Sequence, residues 1–161
     1  MRPGLTMRFP DDEGSHPAFR VEWWYVTGLL DGAAPTPLGF QVTFFRVRST
    51  RESENPSTFT PHHILIAHAA LSDPRRDRLV YQQRAARAGF ELTEALPGRT
   101  AVWIDEWSLD ARGSIYRIKL PAREFGLDLT LAATQPPLLN GAQGYSRKGP
   151  APQSASYYYS L

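Results

Sequence analysis

No cysteine occurs in the chain, so neither a disulfide nor a thiolate metal site can hold it together. That absence is compatible with cytoplasm and periplasm alike. Apolar runs are all far shorter than the ~20 residues a membrane helix needs. Blocks of one charge are missing too: 18 basic residues are interspersed with 16 acidic ones, for a net charge of +2. The densest basic cluster, Arg75-Arg76 with Arg78, falls in a turn signal. No basic stripe runs along the chain, which argues against a nucleic-acid partner. Residues 1–7 lack the apolar segment of a signal peptide, so the expectation is a cytoplasmic protein or one whose export signal is absent from this sequence. At 161 residues the chain reads as one domain over 1–161, able to bury a core without staples.

Glycine and proline are plentiful, 12 and 14 residues between short aromatic runs, which predicts strands and turns with little helix. An aromatic content of 12% leans towards a domain that encloses an apolar molecule. The fold class expected is all-β and antiparallel. Strands are predicted over about 19–30, 40–48, 62–73, 101–109, 114–120 and 125–133, with another opening at 155. The stretch 79–90 reads either as a strand or as a short helical crossing. Asp110 to Gly113 reads as a tight turn, Ser49 to Pro61 as a mobile loop, and Phe9 to Pro17 as an acidic lead-in, either a lid or a solvated surface.

The run Glu22-Trp23-Trp24-Tyr25 dominates the chain. In a strand Trp23 and Tyr25 face one way, Glu22 and Trp24 the other, so both faces carry large rings. A carboxylate among indoles is costly unless paired or protonated. Two readings follow: Glu22 pairs with a buried arginine, Arg46 being well placed, or its proton is retained for acid chemistry in an apolar cavity. Asp73, Asp105 and Glu106 also sit beside aromatic residues, the last two reading better as surface ion pairs. His68, on an apolar strand face, is either a satisfied core histidine, a mate of Asp73 or a proton shuttle. The candidate catalytic set is Glu22, His68 and Asp73. The candidate cavity wall is Trp23, Trp24, Tyr25, Phe45, Trp107, Tyr145 and Tyr157, and rings of this kind would stabilise a developing cation.

Other chemistries find little support. His62 and His68 are six residues apart on one strand, roughly 20 Å at ~3.3 Å per residue, too far to share an ion, and His63 faces the other way. No Gly-x-Ser-x-Gly elbow occurs. The glycine-rich Asn140 to Gly149 lacks the strand-to-helix setting of a phosphate loop. No metal and no cofactor are expected.

Several strings taken together, Phe9 to Pro17, Glu22 to Gly28, Thr43 to Arg46, Ala67 to Asp73, Trp107, Gly141 to Lys148 and Ser156 to Ser160, resemble the amino-terminal half of the carotenoid 1,2-hydratase (hydroxyneurosporene synthase) and AttH family. The resemblance implies a lipocalin-like antiparallel barrel, normally followed by a second barrel. It implies a hydrophobic ligand and, for the hydratases, cofactor-independent water addition to the terminal double bond of an acyclic carotenoid. Other members accompany a membrane transporter, so a lipid carrier is the alternative, as is a structural half that docks a second barrel or a second copy through Tyr157 to Tyr159. The acidic residues expected of the second half lie outside these residues, so the resemblance assigns no catalytic acid here.

Overall fold

A computed structural model of the chain describes residues 3–32, 36–49, 60, 62–151 and 154–161. The expected loop 49–61 and the turn before Leu38 lie largely outside the described residues. Alternating side chains give four long strands in one antiparallel sheet, β1 (Val21–Leu30), β2 (Leu38–Arg48), β3 (His63–Asp73) and β4 (Arg78–Arg87), in that order across it. A second antiparallel sheet holds β5 (Thr93–Ala95), β6 (Ala101–Ile104), β7 (Trp107–Arg112), β8 (Ile115–Pro121) and β9 (Gly126–Ala132), again in sequence order. Two short pairs complete the fold: β10 (Leu138–Leu139) with β13 (Tyr159–Ser160), and β11 (Tyr145–Arg147) with β12 (Ala155–Tyr157). The chain is therefore all-β and antiparallel. Among the described residues no helix is long and apolar enough to cross a membrane.

The core is shared by the inner faces of both sheets. Val42 and Phe44 of β2 and Leu65, Ala67 and Ala69 of β3 pack in one cluster with Val102, Ile104, Trp107, Leu109 and Ile118 of the second sheet. Register explains who faces in: Trp24 lies opposite Phe44 and Val26 opposite Val42, and Glu22 opposite Arg46 continues the same face. The other face carries Trp23, Tyr25, Phe45 and His68 outward.

Two expectations need correction, and one open reading is decided. Of the two readings of 79–90, the strand is the one found, as β4 over Arg78–Arg87. The predicted strand 101–109 is a hairpin, β6 and β7 joined through Asp105-Glu106. Asp105 takes a left-handed φ of 51°, which aspartate tolerates better than most residues, so an alternating run conceals the reversal. The turn expected at Asp110 to Gly113 comes later, with Arg112 still paired to Ile115 and Gly113 at φ 58°.

Candidate functional site

β1 is an edge of the first sheet and β9 an edge of the second, and no described ladder joins them. Into this seam fold the amino-terminal segment, around residues 5–19, and the carboxy-terminal residues 156–161. They leave a cavity of about 590 Å³, within the range of small-molecule sites. Its wall takes Glu22 to Thr27 from β1, Leu109 and Tyr116 from β7 and β8, Leu131 from β9, and Ser156 to Leu161.

At one end lies a charged lattice built on β1 and β2. Arg46, 2% exposed, donates from Nε to Glu22 Oε2 at 2.6 Å. Its Nη2 donates to the carbonyls of His16 (2.7 Å) and Phe19 (2.9 Å), and its Nη1 lies 2.8 Å from His63 Nδ1. Glu22 accepts in addition from the His16 backbone N–H, at 2.7 and 2.9 Å to its two oxygens. The His16 ring bridges Glu22 Oε1 and Asp12 Oδ1, each at 2.8 Å. The Glu22 hydrogen bond, reinforced by Asp12, pushes the imidazole up to about 9, so His16 is a cation at neutral pH. His63 shifts the other way, downward, through burial and the neighbouring Arg46 charge. Glu22 thus tethers the amino-terminal segment to the sheet, and its oxygens are already occupied by donors.

Glu13 is built differently. It ends a short 3-10 turn, Asp11–Glu13, and is 7% exposed. Trp24 Nε1 donates to its carbonyl at 2.8 Å and Thr100 Oγ1 to the same oxygen at 3.3 Å, fixing the turn. The next residue, Gly14, passes so close to the 97–99 backbone that a Cβ would sit 2.3 Å from Gly98 N. The Glu13 side chain receives the Tyr116 hydroxyl at 2.8 Å on Oε2 and meets no cation among the described residues. Burial raises its pKa against the opposing hydrogen bonds of Tyr116 and Thr100. Burial and Glu13 together raise the Tyr116 phenol, keeping it protonated. The buried carboxylates among the described residues therefore divide: Glu22 and Asp73 face arginines, whereas Glu13 faces none of the described ones.

The carboxy-terminal strands close the remaining side. Tyr158 shares a short hydrogen bond with Tyr25, their rings parallel at 6.4 Å. Tyr159 packs edge-on to Phe9 at 4.7 Å, and Tyr157 Oη accepts from Leu5 N at 2.9 Å. Tyr157 to Tyr159 are half-buried against their own chain, where a docking seam would leave them exposed. Ser156, 7% exposed, is a wall residue whose own hydroxyl is buried and has no hydrogen-bond partner among the described residues.

Of the residues singled out from sequence, Glu22, Trp23, Trp24, Tyr25 and Tyr157 line the cavity. His68 does not: it is exposed on the outer face of β3, in edge contact with Phe45 at 5.8 Å, and Phe45 shares that face. Both faces of β3 are apolar, and only packing decides that the Ala67-Ala69 side turns inward. Asp73 caps the turn after β3, accepting from Arg75 N at 3.0 Å and from the Arg75 guanidinium at 2.9 Å. Those hydrogen bonds lower its pKa. Trp107 is fully buried in the core; its Nε1 donates to the Pro121 carbonyl at 2.7 Å, and the Arg84 guanidinium lies 4.7 Å from its ring. Arg84 also binds Glu106 at 2.7 Å, which drops that carboxyl to about 2, and lies 3.6 Å from Asp105. Tyr145 stands behind Tyr157, ring centroids 5.7 Å apart, outside the cavity wall. Glu13, His16, Tyr116 and Tyr159 are the wall residues that sequence reasoning did not single out.

The profile of the AttH-like family matches residues 1–161. In structure the chain is similar to a candidate AttH protein from Nitrosomonas europaea, solved at 2.00 Å, with a TM-score of 0.85 and 44% sequence identity. The match covers 98% of this chain and 47% of that one, so the chain spans about half the length of that structure. No curated protein sequence matches the chain. With the family profile running over the whole length and this identity across nearly all of it, the chain belongs to the AttH-like family.

Proposed function

We propose that the chain binds a hydrophobic small molecule in the seam between β1 and β9. The observation that carries this reading is the cavity of about 590 Å³, walled by Trp23, Trp24, Leu109, Leu131 and the carboxy-terminal tyrosines. Apolar walls of this kind supply the burial that drives binding, about 25 cal/mol per Å².

A second reading, water addition to the terminal double bond of an acyclic carotenoid, is favoured by the buried Glu13 in that wall, whose carboxyl meets no cation among the described residues. The carrier reading requires the same cavity and no acid. Native mass spectrometry of the purified chain after incubation with lycopene separates them. A bound mass one water heavier than lycopene supports hydration, and bound unchanged lycopene leaves a carrier. A chain that stays empty with lycopene and with fatty-acid and phospholipid mixtures contradicts the binding proposal itself.

A further inference from the structure

We infer that the cavity takes an amphiphilic organic monocation, an ammonium group on an apolar body, with the Glu13 carboxylate as its counter-charge. Resting on the binding site proposed above, this names the head group of the guest. The first support is the pairing of charges in the wall. Its charged side chains are Asp12, Glu13, His16 and Glu22, and no described lysine or arginine is among them. Arg46, itself outside the wall, meets Glu22 at 2.6 Å, and the His16 cation is shared between Asp12 and Glu22, 2.8 Å from each. Two cations thus offset two carboxylates and leave Glu13 alone. Its facing groups are the Tyr116 hydroxyl from β8, the Thr100 hydroxyl just ahead of β6, Tyr159 from β13 and, in its own turn, Asp12. Arg99 and Arg112 share a second hollow with Glu13, yet both direct their guanidinium groups to Asp110. Tyr116 and Tyr159 are wall residues, which places the carboxylate end of Glu13 at the cavity.

The second support is aromatic. Beside Tyr116 and Tyr159 the wall holds Trp23, Trp24, Tyr25 and Tyr158. Ring faces are electron-rich and attract cations, indoles most strongly, and the attraction grows where water is excluded. One of these rings already draws an ammonium: Lys148 Nζ lies 5.8 Å from the Tyr158 ring centroid, although Lys148 is not a wall residue. The hydroxyls facing Glu13 favour its ionised form and burial opposes it. A cation in the cavity tips that balance, because it brings the counter-charge that the chain does not. A carboxylate offers about four acceptor sites, so the hydroxyls of Tyr116 and Thr100 leave room for an N–H donor from the guest. A neutral head group leaves Glu13 unmatched, and an anionic one meets a like charge.

The test is isothermal titration calorimetry of the whole chain at pH 7 with octylammonium, octanol and octanoate, which share one tail and differ in the charge of the head. Octylammonium should bind on the order of tenfold tighter than octanol, or more, and octanoate more weakly than either. Glu13→Gln should erase the advantage of octylammonium, with octanol still bound. Equal affinity of ammonium and alcohol in wild type overturns the inference and keeps the apolar site. A preference for ammonium that survives Glu13→Gln overturns it as well. A chain that binds none of the three defeats the binding site itself, and the monocation with it. Should Glu13→Gln lose octanol too, wild type decides. Nuclear Overhauser contacts should then link the methylene beside the ammonium to ring protons of Tyr116 and Tyr159, and bound octylammonium without them rules out Glu13 as its counter-charge.

Discussion

Glu13 and Glu22 stand on the wall of the same cavity, and both are buried, yet their surroundings are opposite. Glu22 is met by an arginine, a backbone N–H and a cationic imidazole. Glu13 is met by hydroxyls only. Burial alone therefore does not identify a reactive carboxyl. What matters is whether the fold brings a cation along with it, because a matched pair is held as a charged structural unit, whereas burial without a cation raises the carboxyl's pKa.

The largest expected effect breaks the structural half of this contrast. Glu22→Ala strands Arg46 in the core and should cost about 3–5 kcal/mol in urea unfolding. It should also release the amino-terminal segment, seen as faster amide exchange around His16. Glu13→Gln, by contrast, should unfold at no lower urea concentration than wild type.

A pH series sharpens the same contrast. His16 has a folded pKa of about 9 against an ordinary 6.5, so its contribution is complete below pH 6.5 and lost as pH rises through about 9. Wild type should lose stability relative to His16→Gln across that window, by on the order of 1–2 kcal/mol once partial solvent screening is allowed for. Glu13 is raised from 4.5, so the folded state binds its proton more tightly than the unfolded state does. Wild type and Glu13→Gln should match below pH 4.5, and the difference should move in favour of the glutamine variant as pH rises above it. Denaturant midpoints at half-unit pH steps check both signs.

The smallest effect belongs to the outer face. His68→Ala should change stability by no more than about 0.5 kcal/mol and leave lycopene loading unchanged. A loss of loading there would move the site to the other side of the first sheet.

Much of the scaffold was legible because its signals are local. Alternation marked β1 to β3, and placing Arg46 at the end of the β2 inner face anticipated the partner that Glu22 finds in register. Local signals could not say which face of β3 turns inward, so His68 and Phe45 were expected near the site and stand outside it. Nor could they reveal the reversal at Asp105-Glu106, where the alternation runs on through the turn. Glu13 was the least legible. Asp11-Asp12-Glu13 in a segment full of turn-formers reads equally as a lid or as a solvated surface, and its burial depends on Trp24, Thr100 and, 103 residues away, Tyr116. The fold, not the neighbourhood in sequence, buries it.

The most direct test of that contrast is the titration of Glu13 itself, read by infrared difference spectroscopy of wild type against Glu13→Gln in half-unit steps of pH. The account predicts that the Glu13 carboxyl band persists above pH 4.5 and then fades as the side chain ionises. A carboxyl band that is lost at or below pH 4.5 would contradict the account, because burial without a facing cation would then have left the group unshifted.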